Sequence, residues 1–313
     1  MVLGISFCIP TYNRLNYLKD VIGFIRSGIG DVSYEIIVCD GGSTDGSVGF
    51  LESQEDVVYI KQEELNGSIP AFNLCFEKVS MDYVFWLSDD FVFDVDDIVR
   101  CCRVMERYPH VGMVSPVFHE KKKDMFPNVG SLNFKLVLSK THVFRSSVLR
   151  LIGFFDESYR TYFIDVDSHL SVLSLGFSSC FLKGSSVVHL RLEDDTRKSN
   201  RDGLEKEFVY YKSKWTSLDS KLGVGLFSRF RIFIFWSFCD RMRFNKIFGF
   251  YMKRGNVVVR GFFDWCLNRC VVFKDKNISK DKEIILAQKL PSNVLSSMAF
   301  NIWTGNKFFW EEC

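Results

Sequence analysis

The sequence predicts an α/β fold in which a mostly parallel sheet is covered by helices on both faces. Short, fully apolar runs of strand length alternate with longer stretches that carry helix start and stop signals. The first run, Leu3 to Ile9, ends at Pro10, and the second, Tyr34 to Cys39, ends in a turn rich in glycine and aspartate. Strands that are apolar on both sides are typical of parallel sheets, because helices cover both faces of such a sheet.

Strands and helices alternate up to about Phe118. Asn13 is placed to cap a first helix over Arg14–Ser27, and Asp45 is placed to cap the second. The next strands are predicted at residues 57–60, 83–87 and 111–118, and the next helices at residues 69–79 and 94–108. Later elements are less regular: an antiparallel strand within 134–144, helices at 146–153, 165–175 and 204–218, and a short strand at 186–190.

Bulk composition excludes several classes of protein. The chain of 313 residues suffices for one full domain plus an appendage, and its formal net charge of +2 gives no indication of a nucleic-acid partner. The cysteines form no Cys-x-x-Cys pair, which argues against a zinc site or a disulfide framework and favours a reducing cytosol. The sequence begins without signal-peptide features, and no apolar stretch reaches the length of a transmembrane helix.

One segment departs from this neutral average. Residues 222–272 mix many aromatic side chains with nine lysines and arginines, opposed by only Asp240 and Asp264. We therefore predict two regions, an α/β domain at 1–218 and a helical, basic and aromatic region at 219–313. Its amphipathic helices would lie on an anionic membrane surface, or would pack on the α/β domain or a second subunit. The concentration of basic and aromatic residues favours the membrane.

Three acidic clusters accompany the predicted strands: Asp40 to Asp45, Ser88-Asp89-Asp90, and Asp165-Val166-Asp167. The carboxyl ends of the strands in an open α/β sheet line a single crevice, so these carboxylates are expected to meet around one ligand. Converging carboxylates repel one another unless a positive charge lies between them, and a divalent cation that holds a diphosphate supplies that charge. Oxygen ligands of this kind suit Mg²⁺ or Mn²⁺.

Each motif also has an ordinary structural interpretation. The turn after the first strand is either a base or ribose contact through Thr11 or a plain strand-to-helix connection. The segment from Asp40 to Gly46 is equally compatible with a ligand loop, whose glycines admit a close backbone approach, and with a tight turn. Asp89 and Asp90 follow a fully apolar strand, where unpaired charges are costly, and this favours metal binding over a solvated turn.

Taken in order, these motifs resemble those of the family 2 glycosyltransferases over about residues 5–215. The matching segments are Pro10-Thr11-Tyr12-Asn13-Arg14, Asp40-Gly41-Gly42-Ser43-Thr44-Asp45-Gly46, Asn66-Gly67 with Ala71-Phe72-Asn73, Ser88-Asp89-Asp90, Ile152-Gly153-Phe154-Phe155-Asp156-Glu157 and Phe163-Ile164-Asp165-Val166-Asp167. Each motif is weak alone, but the ordered set is specific.

The resemblance implies a GT-A fold, a UDP-, GDP- or dTDP-linked sugar donor, Mn²⁺ or Mg²⁺, and inversion at the anomeric carbon. It implies that Asp165 is the general base, removing the proton from an acceptor hydroxyl as the oxygen attacks. The remaining roles implied are donor binding by Pro10, Thr11, Tyr12, Asp40, Asn73 and Asp89, metal binding by Asp90 and His189, and acceptor-side contacts by Asp156, Glu157 and Asp167. For His189, a partly buried structural histidine is an equal alternative.

The chain departs from the family pattern at several positions. Ile164 replaces the usual Glu before the base, which leaves Asp165 and Asp167 as alternatives, and Phe72 replaces a common Arg. Tyr211-Lys212-Ser213-Lys214-Trp215 is similar to the Gln-x-x-Arg-Trp box of processive synthases, but the Gln is replaced and their transmembrane helices are absent. A single-addition enzyme is therefore the better interpretation.

The leading hypothesis is a metal-dependent inverting transferase that adds one sugar to a glycan or lipid-linked glycan, in the cytoplasm or peripherally on the inner face of a membrane. The changes at Ile164 and Phe72 motivate an alternative, a nucleotide-sugar-binding or scaffold protein that has lost catalysis. A nucleotidyltransferase ranks last, because the segment after the first strand supplies no Gly-rich loop with Arg.

Overall fold

The computed structural model describes residues 3–62, 65–119, 130–132, 136–160, 162–190, 204–222, 275, 277–278 and 281–290. The strands in these ranges are β1 (Gly4–Thr11), β2 (Ser33–Asp40), β3 (Val57–Lys61), β4 (Tyr83–Trp86), β5 (Phe91–Phe93), β6 (Val111–Ser115), β7 (Phe118–His119), β8 (Gly130–Leu132), β9 (Leu136–Leu138), β10 (Val143–Arg145), β11 (Ser178–Leu182), β12 (Val187–His189) and β13 (Ile284–Gln288). The helices are α1 (Leu15–Gly28), α2 (Ser47–Glu52), α3 (Ser68–Lys78), α4 (Val95–Arg107), α5 (Ser146–Leu151), α6 (Ile164–Ser174) and α7 (Leu204–Leu222).

Among the described strands, eight form one central sheet in the order β13-β11-β6-β10-β4-β1-β2-β3. β1 runs parallel to β2 and to β4, and β2 runs parallel to β3. β10 lies antiparallel between β4 and β6, and β11 is parallel to β6. The predicted mostly parallel sheet is confirmed. Within residues 134–144, where one antiparallel strand was expected, the structure has β9, which pairs antiparallel with β8, and the start of β10.

Helices cover both faces of this sheet because successive strand side chains point to opposite sides. On β1, Ile5, Phe7 and Ile9 join a core cluster with α1 and α4, whereas Cys8 joins the cluster beneath α3, α5 and α6. Full burial of an Ile or Phe side chain contributes about 1.5–3 kcal/mol, so β1 anchors both layers. The cysteines in the described residues are buried and unbridged, which fits their interpretation as small core hydrophobes.

The loops after β1 and β2 are fastened to each other by side chains. Asp45 accepts hydrogen bonds from the backbone N–H of Leu15 at 2.8 Å and of Ser47 at 3.0 Å, so one carboxylate caps both α1 and α2. The predicted cap of α1 by Asn13 is wrong. Asn13 has a left-handed backbone with φ of 53°, and its side-chain oxygen accepts from the N–H of Thr44 at 2.7 Å. The two loops therefore form one connected surface at the strand ends.

β13 is a correction to the predicted division of the chain. The helical region predicted at 219–313 contains this strand, which pairs antiparallel with β11 at the edge of the central sheet. The sheet of the α/β domain is therefore completed by residues far beyond 218. Residues 223–274 and 291–313, which include nearly all of the basic and aromatic block, lie outside the described residues. In the part of the chain that is described, no helix has both the length and the apolar character needed to span a bilayer.

A second, three-stranded sheet lies next to the end of β4, in the order β5-β12-β7. β12 runs antiparallel to β5, with His189 opposite Phe91, and the N–H of Leu190 donates to the carbonyl oxygen of Asp90 at 3.0 Å. This pairing brings His189 to the acidic turn from a point far along the chain from Asp90.

Candidate active site

Thr11, the last residue of β1, lies between two predicted site aspartates. In the parallel register Thr11 stands beside Asp40 at the end of β2, and its carbonyl oxygen accepts from the N–H of Gly41 at 3.0 Å. Its hydroxyl donates to Oδ2 of Asp89, after β4, at 2.9 Å. Three neighbouring strand ends thus bring Thr11, Asp40 and Asp89 together, as the topology of an open parallel sheet predicts.

Asp40 is fully buried and only half satisfied. Its Oδ1 accepts from the backbone N–H groups of Gly42 and Ser43, both at 2.8 Å, whereas its Oδ2 has no hydrogen-bond partner. A buried acceptor without a donor costs about 1–3 kcal/mol, so an unpaired oxygen of this kind indicates a missing donor group. An N–H of a nucleobase or a ribose hydroxyl would supply that donor.

Gly41 lies where two side chains closely approach the backbone beside Asp40. A Cβ atom at this position would lie 2.6 Å from a methyl carbon of Leu65 and 3.3 Å from the ring of Tyr12. Tyr12 is half-buried, as is Pro10, which stands opposite Cys39 in the strand register. The glycine therefore lets the ring of Tyr12 and the side chain of Leu65 approach the backbone where the predicted nucleoside contacts lie.

Asp89 is buried and held by two donors. Nη1 of Arg14 lies 2.9 Å from its Oδ1, and Thr11 donates to its Oδ2. Burial raises the pKa of Asp89 to about 6, although the Arg14 guanidinium and the Thr11 hydroxyl oppose the shift. Arg14 belongs to the first sequence motif, where it has no predicted role, and the structure places its guanidinium at the acidic turn.

Asp90 and His189 meet, as the paired metal prediction requires. Nε2 of His189 lies 3.2 Å from Oδ1 of Asp90, which also accepts from the hydroxyl of Ser88 at 2.6 Å. Burial alone would raise the pKa of Asp90, but the interactions with His189, Ser88 and Arg14 outweigh it and hold this pKa well below its usual range. The carboxylate is therefore ionised, as a metal ligand must be.

Nε2 of His189 and Oδ1 of Asp90 are atom types that bind divalent cations in proteins. Their separation is also that of an ordinary ion pair, so metal binding by this pair stays a prediction, as does the alternative of a structural histidine. Within the described ranges, no group of three or more His, Cys, Asp or Glu side chains is arranged to hold a metal ion. Asp90 and His189 would accordingly supply two ligands and a diphosphate would supply others.

Asp165 lies in the first turn of α6 and is half-buried. Its carbonyl oxygen accepts from Nε2 of His142 at 2.8 Å, and the His142 ring lies 5.9 Å from the ring of Trp86 at the end of β4. The predicted base is thus anchored near the strand end that also carries Asp89 and Asp90. A carboxylate is electrostatically favoured in the first turn of a helix.

Asp167 faces a different environment from Asp165. It is 2% exposed, and its Oδ1 accepts from Tyr159 at 3.0 Å and from Nε1 of Trp215 at 2.8 Å. Its Oδ2 accepts from Nζ of Lys214 at 2.9 Å. Burial raises the pKa of Asp167, and the ammonium of Lys214 and the indole N–H oppose this rise. With both oxygens engaged by protein donors, the geometry disfavours Asp167 as the base.

Asp156 shares the same lysine. Its Oδ2 accepts from Lys214 at 2.7 Å and from the hydroxyl of Tyr210 at 2.9 Å. The three predicted acceptor-side residues are therefore split, with Asp156 and Asp167 in this buried network and Glu157 elsewhere. The acceptor-side roles stay predictions, and the structure gives two of these carboxylates protein partners instead.

Asn73 contacts the loop that carries Glu157. Its side-chain amide donates to the carbonyl oxygen of Phe155 and to Glu157, both at 2.9 Å, and accepts from the N–H of Phe155 at 3.0 Å. Asn73 and Glu157 also line an open cleft of about 500 Å³ together with Lys61 and Gln62. The donor contact predicted for Asn73 stays a prediction, because its amide is already used to hold this loop.

Phe72, which replaces the common arginine, is 5% exposed and packs edge-on against Trp86 and Phe155, with ring centroids 5.2 and 5.7 Å away. Among the described residues, the side chain that brings a positive charge to the turn Ser88-Asp89-Asp90 is Arg14. Two site residues carried weak signals in the sequence, namely Arg14 in the first motif and Lys214 in the Lys214-Trp215 pair. His142 carried no signal, since a lone histidine before an apolar strand is most often structural.

Comparison with known proteins agrees with this architecture. The family model described as glycosyl transferase family 2 matches residues 6–166, slightly over half of the 313 residues. An uncharacterized glycosyltransferase of Rickettsia typhi is 25% identical over 239 residues, which cover 70% of this chain and 72% of the relative. A second, from Rickettsia prowazekii, is 26% identical over 176 residues, which cover 50% of this chain and 54% of the relative.

Solved structures give the same fold at low sequence identity. A mannosyltransferase from Pyrobaculum calidifontis, in complex with GDP-Man and Mn²⁺, is 17% identical with a TM-score of 0.51; the match covers 62% of this chain and 59% of that one. Residues 1–349 of S. aureus TarS, in complex with UDP-GlcNAc, are 14% identical with a TM-score of 0.50, and the match covers 72% and 78%. The predicted GT-A fold is confirmed, and this chain belongs to glycosyl transferase family 2.

Proposed function

We propose that this protein transfers a single sugar, with inversion, from a nucleotide-diphosphate sugar to a hydroxyl group of a glycan or lipid-linked glycan. The observation that carries the proposal is the meeting of Thr11, Asp40, Asp89 and the Asp90–His189 pair at adjacent strand ends. Membership of glycosyl transferase family 2 supports a transferase. The Pyrobaculum and S. aureus proteins bind GDP-Man and UDP-GlcNAc, which supports a nucleotide-sugar donor.

The nucleoside end of the donor would be held at β1 and β2. Oδ2 of Asp40 lacks a hydrogen-bond donor, so a base or ribose N–H or O–H fits there, next to the half-buried ring of Tyr12. Arg14 is the cation beside the acidic turn, with 19% of its side chain exposed. It would offer its guanidinium to the diphosphate, as arginine commonly does.

Asp90 and His189 would hold Mn²⁺ or Mg²⁺ against the diphosphate. When bound, the cation stabilises the negative charge that builds on the departing nucleoside diphosphate. The ionised state of Asp90 supports this role, as does the Mn²⁺ present in the Pyrobaculum mannosyltransferase.

Asp165 would accept the proton of the acceptor hydroxyl. That oxygen bonds to the anomeric carbon from the face opposite the diphosphate, the bond from the anomeric carbon to the diphosphate oxygen breaks, and the nucleoside diphosphate leaves. Asp165 is favoured over Asp167 because it is half-buried, whereas Asp167 is 2% exposed and both of its oxygens already accept protein hydrogen bonds. Such proton transfer contributes about 10²- to 10⁴-fold to rate.

A second candidate is nucleotide-sugar binding without transfer. The packing of Phe72 among aromatic rings favours it, because the position where relatives commonly carry an arginine holds no cation here. The proposed place of action, in the cytoplasm on the inner face of a membrane, rests on the composition of residues 222–272, of which only Leu222 is described.

A thermal-shift screen of UDP-, GDP- and dTDP-sugars, each with and without Mn²⁺, tests donor binding. A ligand at 100 times its Kd stabilises the fold by about 2.7 kcal/mol. Sugar nucleotides with one of the three bases should therefore raise the Tm of the protein, and Mn²⁺ should enlarge this rise. Asp90→Ala should lose the Mn²⁺ increment, and Asp96→Ala, an exposed acid in the first turn of α4, should keep it. No shift with any donor would contradict the proposal, and a shift without transfer to any acceptor would favour the second candidate.

A further inference from the structure

Helix α7 presents one face to the segment that contains the proposed base. The residues of this face recur at helical spacing and are Glu207, Phe208, Tyr211, Lys214 and Trp215. Each of them contacts the stretch from Asp156 to Asp167, so the helix is fastened along that stretch at several independent points.

On the N-terminal side of Asp165, α7 contacts Tyr162 and Phe163. The carboxylate of Glu207 accepts from the backbone N–H of Tyr162 at 2.7 Å. The ring of Phe163 stacks on Tyr211 with centroids 5.3 Å apart and planes 18° apart, and it also lies 5.6 Å from the ring of Phe208.

Phe163 has a backbone conformation that a bulky residue rarely adopts. Its φ is 64°, in the left-handed region, and it is the residue immediately before α6. Such a conformation persists only where surrounding contacts impose it, and strained residues of this kind cluster at functional sites. Here the imposing contacts come from α7, and the strained residue precedes Asp165 by two positions.

The middle of α7 contacts the first turn of α6. Lys214 bridges Asp156 and Asp167, at 2.7 and 2.9 Å, and Trp215 donates to Asp167 at 2.8 Å. Asp165 thus lies between two points held by the same helix, Phe163 on one side and Asp167 on the other.

We propose that α7 positions Asp165 for catalysis, with Tyr211 and Phe163 acting as positioning residues through the strained backbone before α6. The inference rests on the proposed function, because it assumes that Asp165 accepts the acceptor proton. Under this proposal, the segment Tyr211–Trp215 positions Asp165 and makes no contact with a growing polymer, although it is similar to the Gln-x-x-Arg-Trp box of processive synthases. Tyr211 and Lys214 act through α6.

Substitution of Tyr211 in the whole chain tests this role with the donor, metal and acceptor identified as active. Tyr211→Ala removes the ring that stacks on Phe163, and we expect kcat to fall about 10- to 100-fold, since small misplacement of a reacting group costs this much. The Kd for the donor with Mn²⁺, measured by calorimetry, should change less than about twofold, because the donor contacts lie on β1, β2 and the β4 turn. Tyr211→Phe retains the stacked ring and should restore kcat.

Two further variants keep the test decisive. Val209→Ala, at a position of α7 that is 62% exposed, controls for a general effect of altering the helix and should leave kcat and Kd unchanged. Tyr211→Leu keeps apolar volume without the planar ring, so it serves if Tyr211→Ala does not fold, and it should show the same selective loss of kcat. The Tm of each variant separates loss of folding from loss of positioning.

The outcomes separate this inference from the proposed function. Wild-type kcat in folded Tyr211→Ala or Tyr211→Leu would overturn the positioning role while leaving the transferase proposal intact. A parallel loss of kcat and donor affinity would also overturn it, because the effect would then be general. Full activity of Asp165→Ala would instead remove the assigned base.

Discussion

Two pairs of aspartates, Asp89 with Asp90 and Asp156 with Asp167, are engaged by different kinds of partner. The first pair contacts Arg14 and His189, which under the proposed function would turn to the diphosphate and to the metal. The second pair is held by Lys214 together with the hydroxyl and indole donors of three aromatic residues, Tyr159, Tyr210 and Trp215. We call Asp89 and Asp90 the exchangeable pair, because the proposed function has their partners turn to a ligand, and we call Asp156 and Asp167 the fixed pair. The two pairs look equivalent in sequence.

The strongest test of the exchangeable pair is Asp90→Ala. Loss of a metal-holding carboxylate should lower the transfer rate by at least about 10³-fold, because charge stabilisation on the leaving group is worth several kcal/mol. Steady-state rates with Mn²⁺ check this, and circular dichroism checks the fold. Activity within tenfold of wild type would mean that Asp90 is not part of the chemistry.

Asp165→Ala removes the proposed base and leaves both aspartate pairs in place. The rate should fall about 10²- to 10⁴-fold, whereas donor affinity should stay near wild type, because the proposed donor contacts lie on β1, β2 and the turn after β4. The check is to measure kcat and, by calorimetry, the Kd of the donor in the variant and in the wild type. A matched Asp167→Asn variant should lose stability instead, since its partners are structural.

Lys214→Met breaks the fixed pair and keeps the length of the side chain. Removal of one partner from a buried ion-pair network leaves two carboxylates without their cation, which should lower the free energy of unfolding by about 3–5 kcal/mol. Urea denaturation at neutral pH measures the loss. If stability changed by less than about 1 kcal/mol, the contacts of Lys214 with Asp156 and Asp167 would not stabilise the docking of α7.

Acidification should remove the stability contributed by two buried histidines, His142 and His169. Burial lowers the pKa of His142 to about 4, although its hydrogen bond to the Asp165 carbonyl opposes the shift, and burial also lowers the pKa of His169. In this window the unfolded chain, with a histidine pKa of about 6.5, binds more protons at these two positions, so the stability that they contribute is lost as pH drops from about 6.5 to about 4. Below that range, the free energy of unfolding lost through His142 alone amounts to about 3 kcal/mol.

Urea unfolding at a series of pH values gives this curve, and His142→Gln should flatten part of it. The same slope in both proteins would mean that His142 does not carry the effect. Carboxylates with lowered pKa, such as Asp45, lose their contribution as pH falls below about 4. Asp89, whose pKa burial raises to about 6, takes up its proton within the histidine window and contributes with the opposite sign, so the histidine contribution is the difference between the curves of the two proteins.

The smallest effect is expected at Asp40. Asp40→Asn keeps the shape of the side chain but replaces one hydrogen-bond acceptor by an NH₂ group, which donates. The affinity for the nucleotide should therefore fall about tenfold, equal to about 1.4 kcal/mol. Calorimetry with the free nucleoside diphosphate measures this change. A gain in affinity would show that Oδ2 of Asp40 does not receive a hydrogen bond from the nucleoside.

Features that depend on strand order could be predicted from the sequence. Carboxylates after buried parallel strands converge by topology, so the positions of Asp40, Asp89 and Asp90 in the sequence are enough to place them together. The cap of α4 by Asp94 was also predictable, because a cap depends on residues two or three positions away, and Asp94 accepts from the N–H of Asp96 at 3.0 Å.

Features that the sequence could not predict depend on how distant elements dock. The contacts of Lys214 with two carboxylates about 50 residues away are set by the angle at which α7 packs on α6, and no local pattern encodes that angle. The cap of α1 by Asp45 is likewise a contact across 30 residues. β13 was not predicted because its five residues lie in a region assigned from the composition of a neighbouring segment.

β13 has a consequence for solubility. Every residue of β11 is buried, and β13 pairs with its outer backbone groups. Without residues 284–288, the unpaired amide and carbonyl groups of β11 would lie at the border of the sheet, and such an edge can recruit strands from other molecules. Residues 284–288 therefore keep the fully buried strand β11 away from that border.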